Sequence, residues 1–69
     1  MVVRIGFVME VDIYDTIRYF NNNSHLHRED GPAVEYVDGV KKYWYNGIYY
    51  PEIETDKEWV RFIKFMVFL

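Results

Sequence analysis

The sequence predicts an α+β domain, a small antiparallel β-meander closed by one C-terminal helix. Three observations predict it. Asp38-Gly39 and Asn46-Gly47 each lie between runs rich in β-branched and aromatic residues, the strongest short-range signal for a two-residue hairpin turn. From Val3 to Ile13 every odd position is apolar (Val3, Ile5, Phe7, Met9, Val11, Ile13), the period of two of a half-buried strand. Thr55 and Glu58 form a capping box just ahead of an apolar C-terminal run, which marks a helix start. The 69 residues make a single domain, close to the lower limit for a core without disulfides or metals. It divides into an N-terminal strand region (residues 1 to 20), a central meander (24 to 51) and a C-terminal helix region (55 to 69).

Taken in chain order, the first strand covers residues 3 to 13. Residues 12 to 20 fit two descriptions. Ile13, Ile17 and Phe20 make a helical stripe with Asp12 as its cap, whereas Thr16, Ile17, Tyr19 and Phe20 favour a strand, and propensity tips the balance to the strand. Asn21, Asn22 and Asn23 then form a turn, because Asn tolerates left-handed backbone and bonds its own chain. A two-residue turn at Asp38-Gly39 pairs Val37 with Val40, Tyr36 with Lys41, Glu35 with Lys42, Val34 with Tyr43 and Ala33 with Trp44. Asn46-Gly47 pairs Tyr45 with Ile48, Trp44 with Tyr49 and Tyr43 with Tyr50. Both faces of this three-stranded meander then carry aromatics, one packed inside and the other left as an interaction surface. Pro51 ends the last strand. A helix follows from about residue 56 to 68, with Trp59, Phe62, Ile63, Met66, Val67 and Leu69 around most of its circumference and Arg61 and Lys64 on a narrow polar strip. Such a helix is buried deeply or buried against a second copy, so a homo-oligomer through the C-terminal helix is expected.

Composition narrows the function. Aromatic residues make up 20% of the chain and the net charge is −3, without a basic run, which argues against nucleic-acid binding through phosphate neutralisation. A domain this small cannot hide all its rings, so an aromatic patch suited to partner binding is expected. No cysteine is present, and a cytoplasmic setting follows as the default. The N-terminus lacks the apolar core and cleavage site of a signal peptide. The apolar C-terminal run falls short of the ~20 residues that span a bilayer, so no membrane association is expected.

The string LHREDGPAVEY, followed by VDG and KKYWYNG, resembles a repeat of about two dozen residues found in small bacteriophage and bacterial proteins. That repeat reads roughly W-Y-x-N-G-x-x-H-R-x-D-G-P-A and is loosely similar to MORN-type β-hairpin repeats. The likeness covers about residues 19 to 50, with Tyr19-Phe20 and Tyr43-Trp44 in corresponding places. Where a further unit would place His-Arg this chain has Tyr50-Pro51, so the helix looks like a cap that stops the array. The resemblance implies, by analogy, a small phage-type protein that binds and inactivates a host factor, components of antiviral defence included, in the cytoplasm of the host bacterium. On that reading the candidate protein contacts are Tyr36, Tyr43, Trp44, Tyr45 and Tyr49.

Two other uses of the charged stretch stand beside this one. His25, His27, Arg28, Lys41 and Lys42, with neighbouring tyrosines, supply cations and stacking rings for a nucleotide-like signalling ligand held by an oligomeric sponge. The chain also reads as a structural subunit of a larger assembly. Catalysis is not expected. Ser24 is the lone serine, and neither a nucleophile elbow nor a phosphate-cradling glycine loop accompanies it. His25 and His27 lie on one side of a strand and would need Glu29 or Asp30 to complete a metal site; no metal or cofactor is expected. The structural alternative has His27 and Arg28 bonding the Asp30-Gly31-Pro32 turn, with Arg28 bridging Asp30 or Glu35.

Overall fold

A computed structural model describes residues 8 to 67. In chain order these form β1 (Val8–Val11), β2 (Ile17–Phe20), β3 (Val34–Glu35), β4 (Lys41–Lys42), β5 (Trp44–Tyr45), β6 (Ile48–Tyr49) and α1 (Asp56–Val67). The fold is α+β with a single helix among the described residues, as the sequence predicts. The antiparallel meander is divided between a four-stranded sheet in the order β1-β2-β3-β4 and a two-stranded sheet, β5-β6.

Residues 3 to 7 of the expected first strand lie outside the described residues. The remainder pairs with β2, Val8 opposite Phe20 through Val11 opposite Ile17, which makes residues 17 to 20 strand and not helix. Asp12 does cap, but it caps a turn. Its Oδ1 accepts from the backbone N–H of Tyr14 (2.8 Å) and Thr16 (3.1 Å), and its Oδ2 from Arg18 (2.8 Å). Asp15 takes the left-handed conformation, φ 62°, that closes the loop. The next turn works through Asn21, whose Oδ1 accepts from the N–H of Asn23 and His25. The left-handed residue there is Ser24, not one of the asparagines.

The two glycine hairpins differ. At Asn46-Gly47 both residues have positive φ (48° and 83°), and the register is the expected one, Tyr45 opposite Ile48 and Trp44 opposite Tyr49. At Asp38-Gly39 only Gly39 does, φ 92°. The loop is three residues long: Gly39 N–H donates to the Tyr36 carbonyl and Tyr36 N–H to that of Val40, both at 2.9 Å. Asp38 accepts from Val40 N–H through its side chain (3.0 Å), which a type I turn followed by a left-handed glycine accommodates. The expected register is therefore corrected by one residue. Val34 faces Lys42 and Glu35 faces Lys41, and neither Val34–Tyr43 nor Ala33–Trp44 forms a pair.

The core lies at the passage from one sheet to the other. Tyr43 falls between β4 and β5, where the chain passes from one sheet to the other, and it is fully buried. It joins Trp59 and Ile63 in the core, with Tyr45, Tyr50, Ile53, Phe62 and Met66 packed around them. Helix α1 begins at the predicted capping box, Thr55 Oγ1 accepting from Glu58 N–H and Glu58 Oε1 from Thr55 N–H, both 3.1 Å. Its buried residues Trp59 and Ile63 pack on Tyr43, with Tyr45, Tyr50 and Ile53 beside them. Met9, Glu10 and Val11 are all exposed, so the expectation of a half-buried first strand is corrected for its described part: the period of two is present, but neither side is covered beyond the partial burial of Val8.

Candidate functional site

The HREDGPA segment is the junction of the molecule. His27 is buried. Its Nδ1 accepts the backbone N–H of Asn46 at 2.9 Å, which puts the proton of the neutral ring on Nε2, 3.4 Å from Glu29 Oε2. The same ring lies edge-on to Tyr45, centroids 4.7 Å apart. Arg28 donates from Nε to Asp30 Oδ1 (2.8 Å), and its guanidinium carbon sits 4.1 Å above the Tyr19 ring. Gly31 permits this close lie, because a Cβ there would come within 3.1 Å of the Arg28 Cζ. The Arg28 carbonyl accepts the indole N–H of Trp59 at 2.8 Å. One short loop thus ties β2, the Asn46-Gly47 turn and α1 together.

These bonds sort the ligand candidates. His27 and Arg28 are engaged in holding the fold, His27 to the distant Asn46 turn and not to the Asp30-Gly31-Pro32 turn expected from sequence. Hydrogen bonding to Arg28 holds the Asp30 carboxyl below its usual range. His25 is exposed beside Gly47. Lys41 and Lys42 project to opposite sides, Lys41 towards Asp56 (3.9 Å) and Lys42 towards the rings of Tyr36 and Tyr49 (5.8 and 5.6 Å). The five residues form no common site. Among the described residues, no three His, Asp or Glu side chains converge as metal ligands, and no helix is long and apolar enough to cross a membrane.

The five candidate contacts divide as well. Tyr43 is a core residue, and its hydroxyl donates to Asp56 Oδ1 at 2.6 Å. Burial first, and that bond second, push its phenol well above its ordinary pKa. Tyr45 packs against the core beside His27. Tyr36, Trp44 and Tyr49 remain together on the other side, where Lys42 lies between the two tyrosines and Trp44 packs on Tyr49 with centroids 5.2 Å apart. This partly exposed cluster is the candidate site. The one-residue register correction is what brings Tyr36 to it, on the side of Lys42, whereas Tyr43 and Trp44, being adjacent, face opposite sides in either register.

No family model, curated protein or solved structure matches this chain.

Sequence reasoning overlooked a second surface. The outer side of α1 carries Lys57, Arg61 and Lys64, at i, i+4 and i+7, one stripe of a helix. Arg61 and Lys64 were legible as a polar strip, and the same spacing, carried back one turn, adds Lys57. Among the described residues the ion pairs are Arg18–Asp12, His27–Glu29, Arg28–Asp30 and Lys41–Asp56, so none of these three cations is neutralised. The carboxylates of the same helix are engaged elsewhere, Asp56 with Tyr43 and Lys41, Glu58 in the capping box.

Proposed function

We propose that the chain is a non-enzymatic, phage-type binding protein that neutralises a host factor, in particular an antiviral defence protein, inside the host bacterium. The observation that carries this reading is the Tyr36, Trp44, Tyr49 and Lys42 cluster. Large rings with few rotatable bonds, set around a cation on a rigid hairpin, are the side chains that dominate protein interfaces. His27 and Arg28, which a catalytic reading needs, are bonded within the fold.

The test is capture from bacterial lysate with the tagged chain, followed by reconstitution with the purified captured protein. Tyr36→Asp and Tyr49→Asp alter exposed or half-exposed rings, so both should fold and lose capture. Capture retained by both folded variants would remove the cluster from the interface.

A second reading draws on the same cluster. Lys42 between two tyrosine rings offers a charge and stacking faces to a planar anion, as a nucleotide sponge requires. It predicts a higher melting temperature with nucleotides, lost in Lys42→Ala. A structural subunit would show neither response and would instead form an oligomer of defined mass.

A further inference from the structure

The outer face of α1 combines features that point to one kind of occupant. Lys57, Arg61 and Lys64 run along its centre without ion-pair partners among the described residues, in a chain whose net charge is −3. By helical spacing, Phe65 flanks the stripe on one side and Val60 and Val67 on the other. Phe65 is 67% exposed and Val67 54%. A concave surface lies on each side. One, of about 610 Å³, is lined by Ile53, Phe62 and Phe65 together with Lys57, Arg61 and Glu58, the last engaged in the capping box. The other, of about 600 Å³, runs along Val60 with Lys57, Arg61, Lys64 and Asp56, whose carboxylate is engaged by Tyr43 and Lys41.

We infer that this face docks an acidic segment of a partner protein, its carboxylates along the Lys57, Arg61, Lys64 stripe and an apolar side chain in the groove beside Phe62 and Phe65. Charge selects this occupant over the others. A second copy meeting the face about a two-fold axis brings the cations of one helix against those of the other, because such interfaces are self-complementary, and like charges disfavour it. Nucleic acid needs more phosphate neutralisation than three cations supply on an acidic molecule. A membrane-surface helix must insert its apolar face, and here Trp59 and Ile63 are already buried in the core. The surface is distinct from the Tyr36, Trp44, Tyr49 cluster, so its failure and that of the sheet-face reading are separable.

The test uses the full chain, isotope-labelled for amide NMR, titrated with a synthetic peptide of Glu interspersed with Phe and Leu. The comparison probes are the same peptide with Gln for Glu, oligothymidylate, and phosphatidylglycerol vesicles. The Glu peptide should shift the amides of residues 57 to 67, bind at least about tenfold more tightly than the Gln peptide, and weaken as salt is raised. Lys57→Glu, Arg61→Glu and Lys64→Glu combined should abolish binding while the circular dichroism and melting temperature stay unchanged. The corresponding triple Gln variant serves if charge reversal perturbs folding. Phe65→Ser should weaken binding a few-fold. Equal affinity for the Glu and Gln peptides would overturn the inference. So would shifts confined to Tyr36, Trp44 and Tyr49, tighter binding to oligothymidylate or vesicles, or a dimer in solution that the triple variant dissociates.

Discussion

His27 shows how a residue that invites a catalytic reading is used up by the fold. A buried imidazole that accepts a backbone N–H from a turn nineteen positions away is a tertiary hydrogen bond in place of a sheet contact. Removing it strands the Asn46 N–H and leaves a cavity beside Tyr45. His27→Ala should therefore cost about 2–3 kcal/mol in urea denaturation, whereas His25→Ala, at an exposed site, should stay within about 0.5 kcal/mol. Tyr43 makes a different prediction. Below pH 10 its phenol is neutral in both folded and unfolded chains; above it the unfolded chain ionises first, because the folded state holds the proton more tightly. Stability should fall as pH rises from 10 towards the higher folded value. Tyr43→Phe removes that contribution, so its alkaline limb should be shallower, followed by circular dichroism together with tyrosinate absorbance.

At the scale of the element, the capping box and the two hairpins carry the local information. Thr55 and Glu58 satisfy each other's backbone N–H groups, and Thr55→Ala should cost about 1 kcal/mol, read from the melting temperature. The hairpins teach a finer point. Asn46-Gly47 and Asp38-Gly39 look alike in sequence, yet only the first places both residues in left-handed backbone. Asn adopts that conformation readily. Asp38 instead turns its carboxylate to Val40 N–H and leaves the left-handed position to Gly39 alone. A Cβ at Gly39 meets nothing within 4 Å, so Gly39→Ala tests backbone strain free of clashes and should cost about 1–2 kcal/mol.

Over the whole molecule, stability is concentrated in one joint. A domain of this length has of order 3–10 kcal/mol available. Trp59 is fully buried and bonded to the HREDGPA loop, and its truncation to Ala costs about 3–5 kcal/mol. Trp59→Ala should be largely unfolded at room temperature by near-ultraviolet circular dichroism, and Tyr49→Asp should not. Acid acts through other groups. The Asp12 and Asp30 carboxyls are held below the ordinary 3.8, by bonds to Arg18 and Arg28 respectively. Their contribution is present above that value and is lost as pH falls below it through the folded values. An acid limb should begin below about pH 4, and Asp30→Asn should make it shallower.

What the sequence determined by itself was set by short-range chemistry, the Asp38-Gly39 loop excepted. The Asn46-Gly47 turn and its register, the capping box and the start of α1 depend on residues within a few positions of one another. The strand at residues 17 to 20 was favoured by propensity alone, and pairing with β1 and β3 made it definite. Only tertiary structure decided which face each ring occupies. A side-chain period of two turns a one-residue change of loop length into an exchange of faces, and the Asp38-Gly39 loop made that change, taking Tyr36 from the side of Tyr43 to that of Lys42. The exposure of β1 was likewise decided by tertiary structure, because alternation specifies that a strand has two faces without specifying that either is covered.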